Sequence, residues 1–487
     1  MKFRPNILIL ALFACLGALF AFAFPAKAGQ QYAQFISRER ESAIGAEEHP
    51  KILRQYGGVY DDARVTGYVA TVGGRIAANS DTPGAGFRFT VLDSPIVNAF
   101  ALPGGYVYVT RGLIALANSE AELASVLAHE IGHVTARHSA RQYNRAIGMS
   151  IGGAVLGALI GNQVVSDLIN RGGELYLMNY SRNQEYEADQ LGLRFLSRSG
   201  YDPYASADFL RNLEAQDALE AALNPDKNTR PVEFLSTHPQ TEKRVREAIE
   251  SARATGFQVQ ARPRLAEEFF SNIDGMAFGD SAEQGFARGR DFLHPKEGFA
   301  FTVPPGFRIT NTPDAVIAEG PEQTKIKFDT VRPRQNLPVG AYLTQVWAKD
   351  IHLRNPENLN VNGMPGATGE AEIQTRQGWA ALRLIAVGLT PERVARIMIL
   401  SPSRPGAALA QELRRFTYSL RQLSPQDASA LQPHRIKIIR VKPGDSIAGF
   451  AAQMPFPNYR DARLRVLNGL PENAALSPGA PLKLVVE

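Results

Sequence analysis

The chain has 487 residues, 44% of them hydrophobic and 21% charged, with a formal net charge of +5. That balance is ordinary for globular protein; it excludes a disordered or collagen-like chain, and the length leaves room for about two to four domains. The lone cysteine, Cys15, excludes an internal disulfide framework.

At the N-terminus Lys2 and Arg4 precede an apolar run from Ile7 to Phe24, and Ala26-Lys27-Ala28 supplies small residues for cleavage. This is the pattern of a signal peptide over residues 1–28 and implies export. Its removal takes Lys2, Arg4 and Lys27 with it, so the positive balance is no sign of a nucleic-acid partner. Cys15 lies inside the run, where lipid attachment and an uncleaved membrane anchor stay open as alternatives. A cleaved chain has no thiol, and its stability must come from packing and metal.

Residues 34–56 are charged and helix-prone, and Gly57-Gly58 separates them from a second helix near Asp61–Ala78. Phe87 to Leu92 alternates as a strand, and Asn98–Leu102 and Tyr106–Thr110 form a strand pair joined by Pro103-Gly104-Gly105. The next helix opens at Ser119 and Glu122, a capping box, with Leu123, Val126, Leu127, Ile131 and Val134 at helical spacing. It carries His129-Glu130-Ile131-Gly132-His133. Four residues apart, the two histidines share one helix face and can bind one Zn²⁺ from the same side. Glu130 lies beside that face, within reach of a metal-bound water, as the general base of an H-E-x-x-H site. His138 falls outside the longer metzincin pattern, since Ala136 and Ser139 stand where it requires Gly and His, so it is not expected as a ligand. His49, His294, His352 and His434 have no metal spacing.

Ile147 to Ile160 is apolar and glycine-rich but short for a membrane span; a buried helical hairpin over the histidine helix is expected. A further helix follows Tyr180 and ends near Gly200-Tyr201-Asp202-Pro203. On it Glu185 and Asp189 are again i and i+4. Glu185 can complete a His₂Glu site with the fourth position open for water, and Asp189 can accept the free ring N–H of a ligating histidine. Residues 203–255 read as helices, interrupted by Ser236-Thr237-His238-Pro239, where the proline keeps the backbone non-helical.

This series resembles the M48 family of zinc metallopeptidases, in its envelope-located, BepA-like branch. The residues that carry the resemblance are Asn98 to Gly105, Val107 to Leu113, Ser119 to Leu123, the histidine motif, Ser181-Arg182 with Glu185 and Ala188-Asp189, and Ser236 to Pro239 with Arg244. It implies zinc on His129, His133 and Glu185, one ion per chain, with Glu130 as base. It also places His238 near the metal, closing the open position at rest or donating to the oxyanion. In peptidases of this shape an edge strand beside the metal receives the substrate backbone, which makes Asn98, Ala99, Phe100 and Ala101 the substrate-binding candidates. The implied fold over 29–262 is a mainly helical zincin (gluzincin) domain with a small sheet.

Residues 263–297 read as a linker with room for one short helix. Residues 298–422 read as a small α+β domain, with strands at Lys325–Val331, Ala371–Thr375, Ala380–Val387 and Arg393–Leu400 and a helix at Ala407–Leu420. It weakly resembles PsbP-like domains and shows no catalytic constellation. After a linker at 423–434, residues 435–487 resemble a βααβ LysM module, which implies binding to peptidoglycan. Met454-Pro455-Phe456-Pro457 departs from that pattern. The whole is an α+β multidomain chain, expected as an exported, periplasmic zinc endopeptidase of misfolded or misassembled periplasmic and outer-membrane proteins. Association with the outer membrane or cell wall stays open. Two other readings remain: a chaperone-like assembly factor with an autoinhibited zinc site, and a peptidoglycan-binding scaffold.

Overall fold

The computed structural model describes residues 37–142, 180–223, 232–238, 242–256, 262–334, 337–375 and 378–487. The signal segment 1–28 and the apolar stretch Ile147–Ile160 lie outside them. Among the described residues no helix is long and apolar enough to cross a membrane.

Helix α1 (Arg38–Gln55) begins where the Ser37 hydroxyl accepts the Arg40 N–H, and α2 (Ala63–Ala78) where Asp62 accepts those of Arg64 and Val65. Val65, Val69, Val72 and Ile76, at three- and four-residue spacing, bury one face of α2. Strands β1 (Arg88–Leu92), β2 (Ala99–Leu102) and β3 (Tyr106–Thr110) form a sheet in the order β1-β3-β2, with β1 parallel and β2 antiparallel to β3. The β2–β3 turn needs its glycines: Gly104 and Gly105 have φ of +82° and +84°, and a Cβ on Gly104 would sit 2.6 Å from the Ser42 Cα.

Helices α3 (Arg111–Leu116) and α4 (Glu120–Thr135) follow. Every residue of α4 from Glu120 to His133 is buried, so it is the central strut of the domain rather than an amphipathic surface helix. The expected capping box is present in half. Ser119 Oγ accepts the Glu122 N–H, but the Glu122 carboxylate takes the N–H of Asn118 instead of closing on Ser119. A full box opens α5 (Arg182–Arg198) at Ser181 and Gln184. Helix α5 crosses α4 on glycines: a Cβ on Gly132 would lie 2.9 Å from the Ala188 carbonyl oxygen, and one on Gly192 would lie 3.0 Å from the His129 nitrogen. This close approach brings the two metal-motif helices into register. Helices α6 (Ala205–Leu223), α7 (Glu233–Thr237) and α8 (Glu242–Ala254) occupy the region expected to be helical.

Residues 263–297 are not a bare linker. They carry α9 (Ala266–Ile273) and strands β4 (Ala277–Phe278), β5 (Phe286–Arg288) and β6 (Asp291–His294). Helix α9 buries Phe269, Phe270 and Ile273 in the core of the first domain, while the strands are too short for alternation to register in sequence. Strands β7 (Phe299–Thr302), β8 (Arg308–Asn311), β9 (Val316–Glu319), β10 (Lys325–Val331), β11 (Arg354–Val361), β12 (Met364–Thr375), β13 (Gly378–Thr390) and β14 (Arg393–Pro402) build the middle domain. Seven of them make an antiparallel sheet in the order β11-β12-β13-β14-β10-β9-β8. Helix α10 (Ala407–Thr417) packs Leu413 and Phe416 against Phe301 and Phe328, close to the expected layout.

Strand β15 (Arg421–Gln422) and α11 (Pro425–Ala430) lead to a strand–helix–helix–strand unit: β16 (His434–Arg440), α12 (Ile447–Ala451), α13 (Arg460–Leu467) and β17 (Pro481–Val486). Strand β16 pairs with β17 on one side and with β4 on the other. Ile436, Phe450, Leu464 and Leu484 belong to the same buried cluster as Leu113, Leu123 and Leu127. The C-terminal unit thus shares its core with the first domain.

Candidate metal centre

The crossing of α4 and α5 sets the site. His129 and His133 project from α4, Glu185 from the first turn of α5, and His238 follows α7 as its C-cap; all four are buried. One ligand atom from each lies within 4.8 Å of the others. His129 Nε2 and His133 Nε2 are 3.0 Å apart, and the Glu185 carboxylate stands 3.5 Å from each. Donors held about 2.0–2.1 Å from a tetrahedral ion stand about 3.3 Å from one another, so the two imidazoles and the carboxylate fit a single cation. His238 Nδ1 is a fourth neighbour, 3.3 Å from His129 Nε2 and 3.1 Å from Glu185 Oε1.

The outer nitrogens of both α4 histidines are occupied, which directs their Nε2 atoms inward. His129 Nδ1 lies 2.9 Å from Asp189 Oδ1, the contact expected from the i, i+4 spacing of Glu185 and Asp189. His133 Nδ1 meets His138 Nδ1 at 2.8 Å, and His138 Nε2 reaches Glu187 at 3.1 Å. Arg244 spans the carboxylates, with Nε and Nη2 each 2.7 Å from Asp189 and Nη1 2.8 Å from Glu185 Oε2. Tyr180 stacks on His133 at 3.9 Å, and Phe234 on His238 at 4.8 Å.

The electrostatics favour a positive charge between these groups. Burial alone would raise Glu185, yet His238, His129 and His133 bring its carboxyl well below the usual range. Burial likewise opposes ionisation of Asp189, and the Arg244 guanidinium overcomes it. Burial and the neighbouring His129 hold His133 well below the ordinary histidine value, keeping it neutral, the form that ligates metal. His129 goes the other way, raised against its burial to about 10 by Asp189 and Glu185.

Glu130 is fully buried, burial pushes its carboxyl up, and neither oxygen has a hydrogen-bond partner among the described residues. His238 Nε2, also without a hydrogen-bond partner among the described residues, stands 3.5 Å from it. Two orphaned polar groups facing each other beside a donor cluster are costly unless something polar is bound there.

Strand β2 is the sheet edge, as expected for Asn98–Ala101, but its side chains are buried and its N-terminal end is engaged. The Val97 carbonyl accepts the Phe234 N–H at 3.2 Å, Asn98 Nδ2 donates to Glu233 at 2.8 Å, and the Tyr56 hydroxyl donates to the same carboxylate. The short helix that delivers His238 is therefore moored to the start of β2. His138 and Glu187 were not legible as partners of the site. Arg137, with φ of +55°, turns the chain back so that His138 folds under His133, and helical spacing carries no trace of such a turn. His49, His294, His352 and His434 lie outside the cluster.

Two imidazoles and a carboxylate converging from crossed helices, beside an unpartnered glutamate, define a metallohydrolase type of site. Residues 63–252 match peptidase family M48, and the chain carries an M48 peptidase domain. It is 33% identical over 222 residues to the beta-barrel assembly-enhancing protease of Yersinia pestis, covering 44% of each chain. It is 32% identical over 219 residues to the mitochondrial metalloendopeptidase OMA1 of Schizosaccharomyces pombe, covering 44% of this chain and 62% of that one. The chain thus spans less than two thirds of these relatives' length. Among solved structures, cyanobacterial PsbP from Synechocystis matches 28% of this chain and 98% of its own, at 11% identity and a TM-score of 0.22, too low to carry a structural argument.

Removal of the Asp189 carboxylate frees the His129 ring and strands Arg244. Asp189→Ala is expected to weaken metal affinity roughly 10–100-fold, read by competition with a chelating dye. Unchanged affinity would show that Asp189 does not orient the ligand.

Proposed function

We propose that this chain is a zinc-dependent endopeptidase of the bacterial envelope. The observation that carries the reading is the unpartnered, buried Glu130 carboxylate beside converging His129, His133 and Glu185 donors. Those three residues would hold the ion, and two imidazoles with one carboxylate suit zinc. Bound there, Zn²⁺ supplies a water acidified toward neutrality and a Lewis acid for the peptide carbonyl. Glu130 takes the water's proton at its carboxylate and passes it to the leaving amide nitrogen. His238 Nε2 faces the same space and donates to the oxyanion. Asp189 and His138 hold the two ligating rings in orientation. An extended substrate adds to the free edge of β2, which requires the Phe234–Val97 backbone contact at its start to open while His238 stays in place.

The relatives named for β-barrel assembly support misfolded or misassembled envelope proteins as substrates, and the N-terminal sequence supports a periplasmic location. The βααβ order of 434–487 supports a LysM-like module, which would bind peptidoglycan while fixed to the peptidase domain. The test is metal content together with activity. Purified protein is expected to carry one zinc per chain, to cut unfolded casein, to lose cleavage with a chelator and to regain it with added zinc. A metal-loaded protein that leaves casein intact overturns the proposal.

One observation favours a second reading, an assembly factor with a closed site: His238 sits within the donor cluster, and its segment is held by Asn98 and Tyr56 through Glu233.

A further inference from the structure

A cavity of about 190 Å³ opens where the M48 domain meets the C-terminal unit. Val97, Leu219, Phe278, Met454 and Phe456 supply its apolar walls. An apolar cavity of roughly 150 Å³ accepts a benzene ring, so this one has the size of a single aromatic or long aliphatic side chain. One wall is polar. Arg463 makes no ion pair among the described residues, and its Nε is buried without a hydrogen-bond partner. Burial pushes the Arg463 guanidinium down and the nearby Glu220 carboxyl up, each partly countered by the other's charge. The Phe456 ring lies 4.5 Å from the guanidinium, and the Gln216 amide donates to Glu220 at 3.0 Å.

The cavity is linked to His238 through two residues. Val97 lines it and its carbonyl accepts from Phe234, whose ring stacks on His238. From Val97 the backbone runs through Asn98 into β2, whose outer edge pairs with no other strand among the described residues. A polypeptide added to that edge and continuing past its N-terminal end would reach Val97, a residue of the cavity lining, once the Val97–Phe234 contact opens. A donor beside an acidic acceptor matches a neutral amide better than an anion, since Glu220 would repel a carboxylate or phosphate next to Arg463.

We propose that this cavity is a side-chain subsite for polypeptide bound along β2. It takes one aromatic or long aliphatic side chain, with an adjacent backbone carbonyl accepting from Arg463 Nε. The assignment rests on the peptidase reading and adds to it a point of substrate selection built partly from the C-terminal unit.

The test uses the zinc-loaded full chain carrying Glu130→Gln, so that binding is read without cleavage. Fluorescent unstructured peptides, polar throughout except for one phenylalanine moved along the chain, are titrated by anisotropy. A phenylalanine at one particular position is expected to tighten binding roughly tenfold or more over the all-polar peptide. Leu219→Trp, which fills the cavity, and Arg463→Gln are each expected to reduce that advantage to within about twofold. Arg463 is only half-buried, so its variant keeps the test alive if Leu219→Trp does not fold. An advantage that survives in folded variants overturns the proposal, as does its absence at every position. Displacement by a small aromatic alcohol without any peptide preference also overturns it. If wild-type protein cuts nothing while the phenylalanine advantage and its loss persist, the peptidase reading fails and the subsite stands; cleavage with no such preference gives the reverse.

Discussion

Glu130→Gln is expected to retain the metal and lose casein cleavage by roughly 10²–10⁴-fold, the contribution of a positioned general base. The substitution keeps the side chain's shape, so the packing of α4 is undisturbed. The wild-type carboxylate already sits in the core with both oxygens unpaired, so the neutral amide costs no hydrogen bond and even relieves a desolvated group. Metal content should therefore match wild type and the thermal midpoint should equal or exceed it, and the loss should fall on kcat rather than on affinity for an unfolded substrate. Cleavage within about threefold of wild type would remove Glu130 from the reaction. The same variant separates the two functional readings: if assembly of envelope clients survives in cells carrying only Glu130→Gln, proteolysis is secondary and the closed site becomes the better account.

The convergence of His129, His133 and Glu185 was legible in the sequence because helical spacing and inter-helix distance coincide. His129 and His133 on one turn, and Glu185 and Asp189 on another, need only the α4–α5 crossing to meet, and Gly132 and Gly192 permit that crossing. What was hidden depends on chain reversals. His138 reaches His133 through a left-handed residue, and Arg244 reaches both acidic groups from a third helix. The middle domain followed its alternating strands closely, since long antiparallel strands carry a strong period-two signal. The segment at 263–297 held the one short helix it had room for, but its strands left no signal because they are two to four residues long. The C-terminal unit was legible as βααβ, but its attachment was not. In β17, Leu482 and Leu484 share one face and Lys483 the other, a pattern that reads as a solvent-facing lysine. That face is instead pressed against the M48 domain.

Lys483 supplies the sharpest test of this attachment. The side chain is fully buried, and its Nζ donates to the carbonyls of Ala115 and Ala117 at the C-terminal end of α3. Free carbonyls at a helix end attract a cation, and here the cation comes from the far end of the chain. Burial drives the ammonium down against the attraction of Glu122, itself buried in the first turn of α4. Lys483→Ala removes the donor, leaves two buried carbonyls unpaired and strips Glu122 of its counter-charge. Leaving two buried acceptors unsatisfied costs about 2–6 kcal/mol, which in a domain of this size lowers the thermal midpoint by roughly 4–24 °C. Lys483→Met keeps most of the stem's packing and is expected to fall between the two, since the carbonyls stay unsatisfied. Both variants should unfold the peptidase and the C-terminal unit in one transition, because the two share a core cluster and the β4–β16 pairing. A freely tethered wall-binding module would behave otherwise: Lys483→Ala would leave the midpoint unchanged, and limited proteolysis would release residues 435–487 intact. The buried Lys483 favours one cooperative body, with the C-terminal unit docked just ahead of the helix that carries His129 and His133.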